Sequence, residues 1–117
     1  MEITELSEEI MGMSSSGNKM YWMITSEMGA ENFELRYIEM PAGGKSSYGS
    51  HPHEHEVFVV RGRGMIKGTY GEKELLPNMA VFVPGNEIHQ WINTGDEPFG
   101  FICVVPKGAE AQFKPKK

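Results

Sequence analysis

The sequence predicts an all-β domain, a sandwich or a closed barrel, and three observations carry that prediction. Fourteen glycines and seven prolines punctuate a chain of 117 residues. They fall between short apolar runs, with turn signals roughly every ten residues. No stretch holds the sustained 3.6-residue apolar period that a long helix requires. A chain of this length is one domain's worth and buries a single core. We therefore assign residues 1–117 to one domain, with a barrel core over about 19–106.

The elements follow in order. Residues 4–13 are amphipathic and acidic, and read as one or two helical turns or an edge strand. Residues 14–18 are a polar loop. Residues 19–27 carry Tyr21, Trp22, Ile24 and Thr25, which suit a pleated surface. Residues 33–40 alternate, with Phe33, Leu35, Tyr37 and Glu39 on one face and Glu34, Arg36, Ile38 and Met40 on the other. A Gly-rich loop follows over 41–47. Residues 56–60 form an apolar strand closed by Arg61-Gly62-Arg63-Gly64, whose arginines belong in a solvated turn. Residues 65–70 and 73–76 read as a hairpin around Gly71-Glu72. Short strands over 79–83 and 88–93 end at Pro84-Gly85 and at the turn 94–98. Residues 99–105 are continuously apolar, which predicts a strand buried on both faces. The tail after Pro106 reads as only partly ordered.

Composition excludes several functions. A net charge of −5 argues against nucleic-acid binding, which needs a basic surface. No stretch approaches the ~18–20 apolar residues that cross a bilayer, so no membrane role is expected. The acidic opening, Met1-Glu2-Ile3-Thr4-Glu5, does not read as a signal peptide. The single cysteine, Cys103, permits no internal disulfide and points to a reducing, cytoplasmic setting. Its place in the apolar run predicts a small core residue. No serine elbow, phosphate-cradling loop or Cys-His spacing announces other chemistry.

The histidines carry the chemical signal. All four fall in two places, His51, His53 and His55 together and His89 apart. In a strand the first three share one face, because successive side chains alternate. Neutral imidazole is a good ligand for transition metals, and converging imidazoles would repel one another if protonated. A shared metal ion explains the cluster; a polar loop or a hydrogen-bond network is the alternative. Trp91 and Asn93 share the parity of His89 and should face the interior, Trp91 as a pocket wall or plain core and Asn93 as a cap on the turn that follows. Tyr48 precedes the cluster and could line the mouth of the barrel.

These residues resemble a known superfamily. Gly43, position 49, His51, His55 and Gly62 fall at the spacings of the first cupin motif, G(x)5HxH(x)3-4E(x)6G. Pro84, His89 and Asn93 fall at those of the second, G(x)5PxG(x)2H(x)3N. The runs His55-Glu56-Val57-Phe58-Val59-Val60-Arg61-Gly62 and Val83-Pro84-Gly85-Asn86-Glu87-Ile88-His89 look like the small single-domain "cupin 2 conserved barrel" proteins. The resemblance spans roughly residues 33–106 and has four departures. Gly49 stands where the first histidine belongs, His55 where the glutamate belongs, and Asn78 and Asn86 where glycines belong.

The resemblance implies a double-stranded β-helix, the jelly-roll cupin barrel. It implies one divalent ion (Mn, Fe, Ni, Zn or Cu) held by His51, His55 and His89, with His53 as the candidate for the ligand missing at Gly49. A rival register pairs His51 and His53 with Glu56. The resemblance also implies a homodimer formed through the strand before Pro41 and the N-terminal strands. The leading expectation is a metal-dependent enzyme acting on a small organic molecule, leaning to dioxygenase chemistry because an all-histidine face suits a redox metal. The alternative is a non-catalytic module binding a sugar or other small ligand, since no general acid or base stands out near the histidines. The sequence names no catalytic residue.

Overall fold

The structure is a computed structural model and describes residues 1–116. Its strands in chain order are β1 (Met11–Met13), β2 (Lys19–Ile24), β3 (Phe33–Met40), β4 (His55–Arg61), β5 (Gly64–Gly68), β6 (Gly71–Leu75), β7 (Ala80–Val83), β8 (His89–Asn93) and β9 (Phe99–Pro106). They form a six-stranded sheet, β1-β2-β3-β9-β4-β7, and a three-stranded sheet, β6-β5-β8, all antiparallel. The segment after Pro41, read from sequence as a loop, lies along β8 through bridges Lys45↔Ile92 and Gly49↔His89 and extends the smaller sheet. This is the all-β jelly roll that the motifs implied. No helix is long and apolar enough to cross a membrane among the described residues.

Alternation decides what lies inside. On β3 the inward face carries Glu34 and Arg36, which are fully buried alongside Ile38 and Met40. On β9 the inward residues are Phe99, Phe101, Cys103 and Val105, while Ile102 and Val104 are only half-buried. The expectation of burial on both faces is thus corrected, because among the described residues no second layer covers the outside of the larger sheet. The interior is polarised along its length. Glu34, Arg36, Cys103 and His55 stand at one end, and Met40, Phe99 and Val59 at the other.

Several local readings are refined. Residues 4–13 contain both alternatives, a 3-10 turn at Glu8–Ile10 running into edge strand β1. The β5–β6 hairpin turns at Thr69-Tyr70, not at Gly71-Glu72, since Gly68 faces Gly71 across the ladder. The motif glycines Gly43 and Gly62 have φ of 76° and 77°. Asn78 and Asn86, which replace glycines, have φ of 77° and 68°. Asparagine is the side chain that best tolerates this left-handed region, so the departures preserve the backbone.

Residues 107–114 are tied down, where the sequence reads as only partly ordered. Gly108 N–H and Lys114 Nζ donate to the buried Glu34 carboxylate at 3.0 and 2.7 Å, and Ser26 N–H donates at 2.8 Å. Trp22 Nε1–H donates to the Phe113 carbonyl at 3.2 Å. These contacts fold residues 107–114 back over the polar end of the barrel.

Candidate metal centre

Two strands begin at the polar end with a histidine, His55 on β4 and His89 on β8, and both rings are buried. His51 and His53 precede β4 in a loop, not in the strand that parity assumed. An extended chain would separate side chains at i and i+2 by about 6.6 Å. Here the rings of His51 and His53 stack at 3.8 Å, so the chain bends at Pro52. The loop is anchored by Asn86 N–H, which donates to the His51 carbonyl at 2.7 Å. Gly85 makes this possible, since a Cβ there would lie 2.3 Å from the Pro52 carbonyl oxygen.

The four rings converge. Centroids of His51 lie 4.6 Å from His55 and 5.1 Å from His89, and His55 lies 5.3 Å from His89. Backbone carbonyls fix two tautomers. His51 Nδ1–H donates to the His53 carbonyl at 2.8 Å, and His89 Nδ1–H donates to the Glu87 carbonyl at 2.8 Å. A carbonyl can only accept, so in the neutral rings both Nε2 atoms carry lone pairs. His51 Nε2 and His55 Nε2 are 2.9 Å apart. Two ligands at right angles around one ion, each at ~2.05 Å, would be separated by about 2.9 Å.

The protonation states suit a cation. Burial first, then the Arg36 guanidinium and the neighbouring histidines, pushes His55 down to about 2. Burial also lowers His89, against the pull of the Glu87 carbonyl, and lowers His53, against the pull of Glu110. These three imidazoles are neutral at neutral pH. The donor set, spacing and charge fit a divalent transition metal.

Sequence reading missed three participants. Glu110, on the folded-back tail, places one carboxylate oxygen 3.0 Å from His53 Nε2 and the other 3.4 Å from Arg36 Nη1. Arg36 Nη2 donates to Cys103 Sγ at 3.0 Å, and that sulfur lies 3.2 Å from His55 Nδ1. His55, His51, His53, Glu110, Arg36 and Cys103 thus close a continuous circuit of polar contacts. Burial raises the Cys103 thiol to about 11, so it stays protonated. It is buried as expected, but it is also a polar neighbour of the histidines. Arg36 is visible in the sequence as a charge sharing a strand face with Glu34, Ile38 and Met40. Glu110 had no local signal, because only the docking of the tail brings it in. Ligand atoms of His51, His53, His55 and Glu110 all lie within 4.8 Å of one another.

A cavity of about 220 Å³ opens at this end, lined by His51, His55, His89, Trp91, Arg36 and Glu110, with serines at its rim. Trp91 stacks on Phe101 at 5.1 Å and meets His89 and His55 edge-on at 6.0 and 6.3 Å. Asn93 caps its turn, accepting Gly95 N–H at 2.9 Å. Two candidate residues lie elsewhere. Tyr48 is exposed, with Lys67 Nζ 6.0 Å from its ring centroid, and does not line the cavity. Glu56, the acidic ligand of the rival register, is exposed on the outer face, where it pairs with Phe82 and Val104.

The profile of the cupin domain family matches residues 36–105. A 1-methylthio-D-xylulose 5-phosphate methylsulfurylase from Rhodospirillum rubrum is 38% identical over 72 residues, 62% of this chain and 46% of that one. A glucose-6-phosphate isomerase from Pyrococcus abyssi is 35% identical over 71 residues, covering 56% of this chain and 38% of the relative. The chain therefore spans less than half the length of either. Among solved structures, a cupin 2 domain-containing protein from Halorhodospira halophila is 30% identical. It superposes with a TM-score of 0.72 over 85% of this chain and 74% of its own.

Proposed function

The chain belongs to the cupin domain family, and on that premise we propose that it is a metal-dependent enzyme acting on a small organic molecule. His51, His55 and His89 hold the ion, and His53 stands beside them as the candidate fourth ligand. Three protein ligands leave coordination positions open to substrate, whereas a closed tetrahedral set would not. When bound, a divalent ion polarises a carbonyl or hydroxyl oxygen.

The observation that carries the enzymatic reading is Glu110, a carboxylate lining the cavity beside the histidines. It supplies the general base whose apparent absence had favoured a non-catalytic module. His53 Nε2–H donates to it and fixes its position. Trp91 and Phe101 wall the cavity with apolar surface. Glu110 favours proton transfer next to a carbonyl over dioxygenase chemistry, and the names of the two curated relatives, a methylsulfurylase and an isomerase, support the same direction.

The test is metal content by elemental analysis, followed by deuterium exchange into a panel of small 2-hydroxy and 2-oxo compounds in D2O. Metal-dependent exchange that is lost in Glu110→Gln supports the reading. A metal-replete protein that exchanges nothing and takes up oxygen would return the choice to dioxygenase chemistry.

We also propose that the chain works as a homodimer in the cytoplasm. The uncovered face of the larger sheet carries Leu35, Tyr37, Phe58, Val60, Phe82 and Val104, and a second copy would bury it. Sedimentation should find a dimer that Phe58→Lys together with Phe82→Glu converts to monomer.

A further inference from the structure

Arg36 is a buried cation with poor partners. Its side chain is fully buried and lines the cavity. A guanidinium offers five N–H donors in a planar fork. The acceptors around this one are a single carboxylate oxygen of Glu110 at 3.4 Å and two sulfurs, Cys103 Sγ at 3.0 Å and Met20 Sδ at 3.8 Å. Among the described residues its Nε has no hydrogen-bond partner, and the Trp22 ring centroid lies 5.4 Å from its Cζ. Buried charges are normally paired and hydrogen-bonded in full, and leaving one under-satisfied is costly. Thioether and thiol sulfurs are weak acceptors.

We propose that Arg36 is the anion subsite of the cavity and that the molecule bound there is a small carboxylic acid. The guanidinium fork matches a carboxylate bidentately. Apart from the histidines, Arg36 is the only basic side chain lining the cavity among the described residues. One guanidinium suits a singly charged carboxylate better than a phosphate dianion, whose desolvation is more costly. The cavity is about 220 Å³, well above the ~10–15 Å³ that one water needs on the same measure. A carboxylate on Arg36 would set its neighbouring carbon between Glu110 and the histidines, with a 2-hydroxy or 2-oxo oxygen directed to the metal side. The inference rests on the cavity's being a substrate site, but carboxylate capture itself needs no metal.

The test is calorimetric titration of metal-stripped and Mn-loaded protein with glycolate and lactate, with glycolamide and lactamide as neutral counterparts, and with inorganic phosphate. The acids should bind at least tenfold more tightly than the amides in both forms of the protein. Arg36→Met should lose that preference, and Arg36→Lys, which keeps the charge but not the fork, should lose most of it while unfolding cooperatively. If Arg36→Met does not fold, the lysine variant decides the matter. Equal binding of acid and amide, no binding of either acid, undiminished affinity in Arg36→Lys, or tighter binding of phosphate each overturns the proposal. Absence of metal uptake would sink the metal-dependent reading alone, because the stripped protein still reports on Arg36.

Discussion

Cys103 Sγ lies 3.2 Å from His55 Nδ1, inside the barrel wall and out of reach of solvent. For His55 to offer its Nε2 to a metal, its Nδ1 must carry the proton and donate it to that sulfur. The thiol therefore orients a ligand without touching the ion. Cys103→Ala removes the acceptor without adding bulk. It should weaken metal binding by about 10–100-fold, as losses of outer partners do, while leaving far-UV circular dichroism unchanged. Competition with a chromophoric chelator measures this.

The three histidines of the cavity should differ from the fourth. His89→Ala or His51→Ala should abolish metal uptake and the melting-temperature rise that metal produces, while His53→Ala should lower affinity modestly. Equal metal loading in His89→Ala would refute the ligand set. Gly49 lines the cavity and a Cβ there meets nothing within 4 Å. Gly49→His should therefore fold and bind metal more tightly than the parent.

Glu34 fastens the tail that delivers Glu110. Burial pushes its carboxyl up, but Lys114 and the N–H groups of Ser26 and Gly108 outweigh burial and hold it below the usual carboxylate range. Glu34→Ala leaves the N–H groups of Ser26 and Gly108 without their carboxylate and Lys114 with Glu27 as its remaining ion pair, and should cost about 1–3 kcal/mol in urea unfolding. Amide exchange over residues 107–114 should accelerate more than in β9.

The histidine cluster also sets a pH dependence. His55 is held at about 2 when folded, against ~6.5 unfolded. Above pH ~6.5 neither state is protonated at this site. Below it the unfolded chain takes up a proton that the folded chain refuses, so stability falls with pH by up to ~1.4 kcal/mol per unit. His53 and His89, also lowered, act in the same direction. Metal-free protein should therefore melt progressively lower from pH 6.5 downward. A melting temperature flat between pH 6.5 and 5 would contradict the buried neutral cluster.

The strands, the jelly roll and the histidine positions are legible in the order of residues alone. Those depend on local alternation, on Gly and Pro turns and on motif spacing. Even the departures at Asn78 and Asn86 obey a local rule, the need for positive φ. Which face of β3 is buried, and hence that Arg36 enters the cavity, depends on packing in three dimensions. The same holds for the loop around Pro52, which stacks His51 on His53, and for Glu110, which arrives from the tail. None of these is written in any single segment. Each depends on contacts between residues far apart in the chain, such as Glu34 with Gly108 and Lys114, and such pairings leave no periodic trace in the order of amino acids.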